Sequence, residues 1–152
     1  MNKINRFITK TIATFFFIGY IPILPGTFAS AFSLCLIWFL RKNVLLYILF
    51  FLIILVAGFL VSSSAEKLFG KKDAKEIVID EVIGIFLSFI FVPLNCKFLF
   101  LGFLLFRILD GLKVIPSNYT EKLEGAKGII FDDLIAGLYT NIILQFSFRL
   151  TL

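Results

Sequence analysis

Residues 44–61 read VLLYILFFLIILVAGFLV, eighteen consecutive positions without a charged side chain. An α-helix rises about 1.5 Å per residue, so a helix of this length reaches roughly 27 Å, close to the thickness of the hydrocarbon layer of a bilayer. The run therefore predicts a helix that crosses a membrane. The polar residues Arg41, Lys42 and Asn43 come directly before it and are expected at one membrane face.

The composition of the 152-residue chain also indicates a lipid environment. Apolar residues make up 60% and charged residues 16% of the chain, whereas soluble domains contain about 45–50% apolar residues even with Gly counted. Histidine is absent from the sequence. This excludes catalytic triads and dyads built on His, His-ligated zinc and phosphohistidine chemistry. Any reaction must depend on carboxylates, amines, hydroxyls or a hard metal ion.

Five further apolar runs are shorter, at residues 12–18, 27–40, 82–92, 98–109 and 134–148. The run 12–18 is too short to cross a bilayer and is expected to lie in the interface or to re-enter. The run 27–40 pairs with 44–61 as a helical hairpin, and a turn at 93–97 separates the third and fourth runs. We predict one domain over residues 1–152. Its expected fold is all-α, an integral membrane helical bundle with about four to five membrane-embedded helices, some of them short or broken.

The charges are distributed unevenly along this topology. If the N-terminus is cytoplasmic, eleven of the fifteen basic residues lie on the cytoplasmic side, as the positive-inside rule requires. The same arrangement places all ten acidic residues on that side. The basic residues are interleaved with apolar runs, so the net charge of +5 indicates anionic lipid as partner and not nucleic acid. We expect a multi-pass membrane protein with an acidic site at the cytoplasmic face.

The first candidate cluster is Asp80 and Glu81, which directly precede the run 82–92. If this segment is helical from its start, Asp73, Glu76 and Asp80 share one face. A carboxylate at or below the interface is costly unless a cation neutralises it. The alternative is a solvated, charged turn that caps a helix.

Two further clusters follow in the sequence. Arg107, Asp110 and Lys113 recur every three residues, and two cations beside a carboxylate suit a bound phosphate. The alternative is an intrahelical ion pair, with the long basic side chains extending to the membrane surface.

Asp132 and Asp133 are expected at the head of the last helix, after a glycine-containing loop. Adjacent carboxylates at a lipid face are tolerable when Mg²⁺ lies between them, although an acidic residue that complements the helix dipole is the alternative.

A fourth segment is rich in proline and glycine. Pro22, Pro25 and Gly26 are expected to hold the chain out of helix until Thr27, whose hydroxyl can cap the helix that follows. The amides at that helix start form a candidate anion-binding site, although a plain helix start explains the pattern equally well.

Together these motifs resemble the phosphatidylglycerophosphatase A family of bacterial membrane enzymes over roughly residues 15–145. The matching positions, in chain order, are Gly19, Tyr20, Pro22, Pro25, Gly26, Thr27 and Ser30, then Asp73 and residues 77–84 (IVIDEVIG), then Phe106, Arg107, Asp110 and Lys113, then Gly125, Gly128, Asp132, Asp133 and residues 136–139 (AGLY). The chain departs from the family pattern at Ala29, Ala74, Val114 and Ala126, where the family tends to have Gly, Pro, Pro and Gly. No matched acidic residue is lost.

The resemblance implies Mg²⁺-dependent hydrolysis of the terminal phosphate of phosphatidylglycerophosphate at the cytoplasmic face of the bacterial inner membrane. In this hypothesis Mg²⁺ is held by Asp80, Glu81, Asp132 and Asp133. Arg107, Lys113 and Thr27 bind the phosphate. The catalytic residues are Asp80, Asp133, Arg107 and Asp110. Water activated by the metal attacks, with a carboxylate as general base.

Other functions predict different sequence features. A CDP-alcohol phosphotransferase continues Asp-Gly with Ala-Arg, whereas Asp110-Gly111 is followed here by Leu112-Lys113. An aspartyl-phosphate route lacks support from an Asp-x-Asp element. A non-enzymatic channel or transporter needs carboxylates along a path across the bilayer, and the apolar runs contain none in mid-span.

Overall fold

A computed structural model describes residues 2–72, 74–112 and 126–150 of the chain. The described residues form six α-helices and one 3₁₀ turn at Ile18–Tyr20, with no β-strand among them. The helices are α1 (Lys3–Ala13), α2 (Pro25–Leu40), α3 (Val44–Phe69), α4 (Ile79–Ser88), α5 (Cys96–Leu112) and α6 (Ala126–Leu150). The all-α prediction is confirmed.

Within the described ranges, two helices are long and apolar enough to cross a membrane. They are α3 and the part of α6 from Gly128 to Leu150. Asn43 caps the start of α3, where its Oδ1 accepts a hydrogen bond from the Leu46 amide at 3.1 Å, and Gly70 ends the helix with a φ of 68°. The helix predicted at 44–61 is therefore found, it has the length and composition to cross a membrane, and it continues for two further turns. The larger number of four to five embedded helices stays a prediction.

Helix α4 lies at the centre of the bundle. Eight of its ten residues are buried, because α2, α3, α5 and α6 all pack against it. It approaches α6 most closely at two glycines: a Cβ on Gly137 would overlap the backbone carbonyl of Gly84. A helix that is apolar on every side is stable only inside such a shell. The helix that carries Asp80 and Glu81 is therefore part of the core of the molecule.

Helix α4 is too short to cross a bilayer, since ten residues rise about 15 Å. Its end is completed by side chains from other helices. Asn141 on α6 donates its Nδ2 hydrogens to the carbonyl oxygens of Leu87, Ser88 and Ile90 at 3.2, 3.1 and 2.8 Å. Tyr47 on α3 donates its hydroxyl to the Phe86 carbonyl at 2.6 Å. Backbone groups in an apolar environment must be satisfied inside the protein, and these bonds allow a helix to end there.

The starts of two helices differ from the expectation. Helix α2 begins at Pro25 and not at Thr27, because proline fits the first helical position, where no amide donor is needed. Leu24, with a left-handed φ of 50°, is the N-cap, so Thr27 lies inside the first turn and does not cap the helix. Helix α4 begins only at Ile79, so Glu76 precedes it and shares no helix face with Asp80. Asp73 lies outside the described residues.

The start of α6 also differs from the expectation. This helix begins at Ala126, so Asp132 and Asp133 are its seventh and eighth residues and not its head. The field of a helix dipole falls off within the first turn. The explanation of the paired aspartates as simple partners of a helix N-terminus is therefore wrong.

Candidate active site

Polar side chains from three helices meet at one end of the bundle. Asp80 and Glu81 lie in the first turn of α4, Arg107 and Asp110 in the last turns of α5, and Asp133 on α6 where α6 packs along α4. A short turn at residues 89–95 joins α4 and α5 and reverses the direction of the chain. The end of α5 therefore lies beside the start of α4. The fold thus joins residues that are more than 50 positions apart in the sequence.

Asp80, Glu81 and Asp133 form a compact carboxylate group. Each offers one oxygen, and the three oxygens all lie within 4.8 Å of one another. Asp80 is 6% exposed and Asp133 is 4% exposed. Glu81 is half-buried as a whole, but its Oε2 is buried.

The chemistry of these oxygens fits a hard divalent cation. Among the described residues, Glu81 Oε2 and Asp133 Oδ2 have no hydrogen-bond partner. A buried carboxylate oxygen without a partner is costly, and a cation removes that cost. Three carboxylates that converge on one point are ligands of the kind that Mg²⁺ takes.

Glu81 is held against the start of α2. Its Oε1 lies directly over Gly26, so that a Cβ at position 26 would overlap it. Burial raises the pKa of the Glu81 carboxyl, and the charge of Asp110 adds to the rise, while a hydrogen bond with Asp80 and the charge of Arg107 oppose it. A side chain at position 26 would therefore displace the Glu81 carboxylate from this position.

Arg107 supplies a positive charge next to the carboxylate group. Its Nη1 lies 2.9 Å from Asp110 Oδ2, and both side chains are half-buried. Asp110 also interacts through its side chain with Asp133, and the charge of Arg107 acts on both Glu81 and Asp133. The ion pair that was the alternative interpretation is present, but it borders the acidic group and does not stand alone on a helix surface.

The remaining predicted site residues are placed differently. Asp132 is half-buried and lies outside the group of three carboxylates, since neighbouring residues of a helix point about 100° apart. Thr27 lies in the first turn of α2, next to Gly26. Lys113 lies outside the described residues. The sequence placed Gly26 in a motif but gave no sign of its contact with Glu81. The role of Asn141 at the end of α4 was also missed, although a polar residue inside the last apolar run is a signal that could have found it.

These features define a class: a protein that is helical throughout its described residues, with two helices able to cross a membrane and a buried carboxylate group suited to a divalent cation. The family model for phosphatidylglycerophosphatase A matches residues 11–148. The chain belongs to this family and is a phosphatase. The resemblance drawn from the motifs is confirmed, and the non-enzymatic alternative is set aside.

Curated relatives agree with the family assignment. The chain is 33% identical to phosphatidylglycerophosphatase A of Escherichia coli strain K12, over 84% of this chain and 76% of the relative. It is 32% identical to phosphatidylglycerophosphatase A of Haemophilus influenzae, over 83% and 80%. It is 31% identical to a putative phosphatidylinositol-3-phosphatase of Bacteroides thetaiotaomicron, over 93% and 94%. No solved structure matches the chain.

Proposed function

We propose that this protein hydrolyses the terminal phosphomonoester of phosphatidylglycerophosphate, giving phosphatidylglycerol and inorganic phosphate. The observation that carries the proposal is the convergence of Asp80, Glu81 and Asp133 within 4.8 Å, beside the Arg107–Asp110 pair, in a member of this family. A phosphomonoester is an anion, and it needs a positive surface that the carboxylates alone do not offer. Arg107 and a bound divalent cation, Mg²⁺ in this proposal, provide it.

The roles of the side chains follow from their positions. Asp80, Glu81 and Asp133 would hold Mg²⁺, which would supply Lewis-acid chemistry at the phosphoryl group and lower the pKa of water. Asp110 orients Arg107 through their ion pair, so that the remaining guanidinium hydrogens face the phosphate oxygens. Lys113 and Thr27 are further candidate phosphate ligands, and Asp132 is a further candidate metal ligand.

The reaction requires one proton acceptor and one proton donor. The water oxygen forms a bond to phosphorus while a carboxylate takes its proton, and we assign this general base to Asp110, which is not one of the three proposed metal ligands. The bond between phosphorus and the glycerol oxygen breaks, and the carboxyl that took the proton from water transfers it to that oxygen, which leaves as the hydroxyl of phosphatidylglycerol.

We also propose a multi-pass location in the bacterial cytoplasmic membrane with the site facing the cytoplasm. The support is the positions of the basic residues. Lys67 lies in the last turn of α3, and Lys71, Lys72 and Lys75 lie on the segment between α3 and α4, which leads directly to Asp80. At the other end of these helices, Arg41 and Lys42 lie between α2 and α3, and Lys97 lies in the first turn of α5. The site end is therefore the more basic end, which the positive-inside rule assigns to the cytoplasm.

The decisive experiment is phosphate release from phosphatidylglycerophosphate by the detergent-purified protein. We expect release with Mg²⁺, its loss with EDTA and its recovery when Mg²⁺ is restored. Asp80→Asn and Asp133→Asn are expected to abolish turnover, whereas Glu76→Gln, a matched change at an acid outside the carboxylate group, is expected to retain it. Absence of release with every divalent metal would refute the proposal. Near-wild-type rates in both Asn variants would refute the ligand assignment.

A second candidate substrate is phosphatidylinositol 3-phosphate, which also presents a phosphomonoester at a lipid head group. It is favoured by the name of the Bacteroides thetaiotaomicron relative, which aligns over 93% of this chain. Both lipids use the same carboxylate and arginine chemistry, so the comparison must be kinetic. We expect kcat/KM to be higher for phosphatidylglycerophosphate when the two lipids are tested at equal mole fraction in mixed micelles. A higher value for the inositol lipid would reassign the substrate.

A further inference from the structure

Helix α1 has three distinct faces. It packs against α3, and its buried residues are Thr9 and Ala13. Ile4 and Phe7 are 72% and 63% exposed, and they lie on one side of the helix. Lys3, Arg6 and Lys10 lie on another side. An amphipathic helix with a basic face and an apolar face is suited to the plane of a membrane interface.

The apolar face of α1 continues into the segment that follows. The rings of Phe7 and Phe17 are 6.2 Å apart, and the rings of Phe17 and Tyr20 are also 6.2 Å apart. Phe16 and Ile23 in the same segment are 71% and 70% exposed. Soluble proteins rarely expose a continuous apolar surface of this kind. This surface requires an apolar environment at the level of α1.

The groove between α1 and α3 is basic. It has a volume of about 340 Å³ and is lined by Arg6 from α1 and by Ser64, Lys67 and Leu68 from α3. Arg6 and Lys67 are exposed, and Ser64 and Leu68 are half-buried. Residues 1–65 contain no Asp or Glu, so α1 brings only positive charge to this groove. Two cations and a hydroxyl beside one apolar side chain match a phosphodiester head group and the start of its acyl chain.

The groove opens at the site end of the bundle but is built from other residues. The Val78 amide, two positions before Asp80, donates to the Ala13 carbonyl at 2.9 Å and so ties the end of α1 to the start of α4. On α3, Gly58 contacts Ile79 and Ile83, and Lys67 lies nine residues further on, about 14 Å along the axis. Along the axis of α3, the groove therefore lies further than the carboxylate group toward the end of the bundle that carries most of the basic residues.

We propose that the groove between α1 and α3 binds the head group of an anionic phospholipid from the surrounding leaflet, with Arg6 and Lys67 on its phosphate. The lipid is a resident of the protein and not its substrate. It holds α1 in the interface, with Ile4, Phe7 and Phe16 in the acyl region and the basic face toward the head groups. Because the groove shares no lining residue with the carboxylate group, the proposal stands independently of the reaction.

The test is lipid binding by the full-length protein in detergent, measured by native mass spectrometry. The probes are dioleoyl phosphatidylserine, which is anionic but is neither substrate nor product of the proposed reaction, and dioleoyl phosphatidylcholine. We expect one phosphatidylserine to bind roughly thirtyfold more tightly than phosphatidylcholine, from the contribution of two basic side chains near an anionic head group. The double variant Arg6→Gln/Lys67→Gln is expected to lose this preference. The charge-matched control Lys42→Gln/Lys97→Gln, at the opposite end of the bundle, is expected to keep it.

Several outcomes would overturn the proposal: equal binding of the two lipids, equal loss in both double variants, or displacement of the lipid by millimolar inorganic phosphate. The last would show a site for free anions. If the double variant does not fold, Arg6→Gln alone, at an exposed position, is expected to weaken phosphatidylserine binding about fivefold. An unchanged affinity in that variant would refute the assignment. Asp80→Asn is expected to bind phosphatidylserine normally, so that this test and the test of the reaction fail independently.

Discussion

Replacing Gly26 with alanine tests whether the position of the Glu81 carboxylate controls activity. A Cβ at position 26 would overlap Glu81 Oε1, so the carboxylate must retreat to reach an ordinary contact. Gly26 lies in the first turn of α2, where alanine is at least as favourable for the helix as glycine. The perturbation therefore acts on a catalytic side chain and leaves the helix intact.

The magnitude follows from this displacement. Moving a catalytic group by roughly 1 Å is expected to lower kcat/KM about hundredfold, or about 2.7 kcal/mol of transition-state stabilisation. The assay is phosphate release from phosphatidylglycerophosphate in mixed micelles across a range of Mg²⁺ concentrations. We expect the Gly26→Ala variant to need more Mg²⁺ for half-maximal activity, because Glu81 is a proposed ligand. Its thermal unfolding midpoint in detergent is expected to stay close to that of the wild type.

Gly111→Ala is the matched control. Gly111 lies in α5 directly after Asp110, and a Cβ there would meet no atom of the described residues within 4 Å. This variant is expected to retain wild-type activity. Glu81→Asp, whose carboxylate is one methylene shorter, is expected to restore part of the activity when combined with Gly26→Ala. Wild-type kinetics in Gly26→Ala, or an equal loss in Gly111→Ala, would show that the contact between Gly26 and Glu81 has no catalytic importance.

Three further predictions concern the support of the site. Asn141→Leu removes three hydrogen bonds to the end of α4, so thermal unfolding in detergent should show a loss of about 2 kcal/mol of stability, at ~0.6 kcal/mol per bond. Gln145→Leu removes one bond of 3.4 Å to that end and should lose less stability. A larger loss in Gln145→Leu than in Asn141→Leu would refute the capping role of Asn141. Gly137→Ala places a Cβ against the Gly84 backbone, so both stability and activity should fall, and a variant stable to within about 0.5 kcal/mol would contradict the close helix contact. Arg107→Lys keeps the charge but loses the forked donor geometry, so kcat/KM should fall about tenfold to hundredfold in the phosphate-release assay, and an unchanged value would remove Arg107 from phosphate binding.

Much of the fold was predictable because lipid imposes a simple requirement on sequence. A long uncharged run such as 44–61 has few stable conformations other than a helix in a bilayer, and it forms most of α3. The acidic residues were also found as candidates, since carboxylates next to apolar runs are costly without a partner. Helix starts were predicted wrongly where one residue fits two conformations. Pro25 was expected to keep the chain out of helix, but proline also fits the first position of a helix, and α2 begins there.

The selection among the acidic residues depended on contacts that the sequence does not encode locally. Asp132 and Asp133 are equivalent as neighbours in a chain, but α6 turns only Asp133 toward Asp80 and Glu81. The reason is the rotation of α6 that Gly84 and Gly137 set at their close approach to α4.

The amino-acid sequence alone thus determined an all-α fold, the family and the acidic and basic residues from which a site can be built. The tertiary structure decided which carboxylates converge, that Gly26 lies against the Glu81 carboxylate, and how α4 ends inside the protein beside Asn141. The physical reason is the range of the forces involved. Hydrophobicity and helix geometry act within one segment, whereas the site depends on packing between segments more than 50 residues apart.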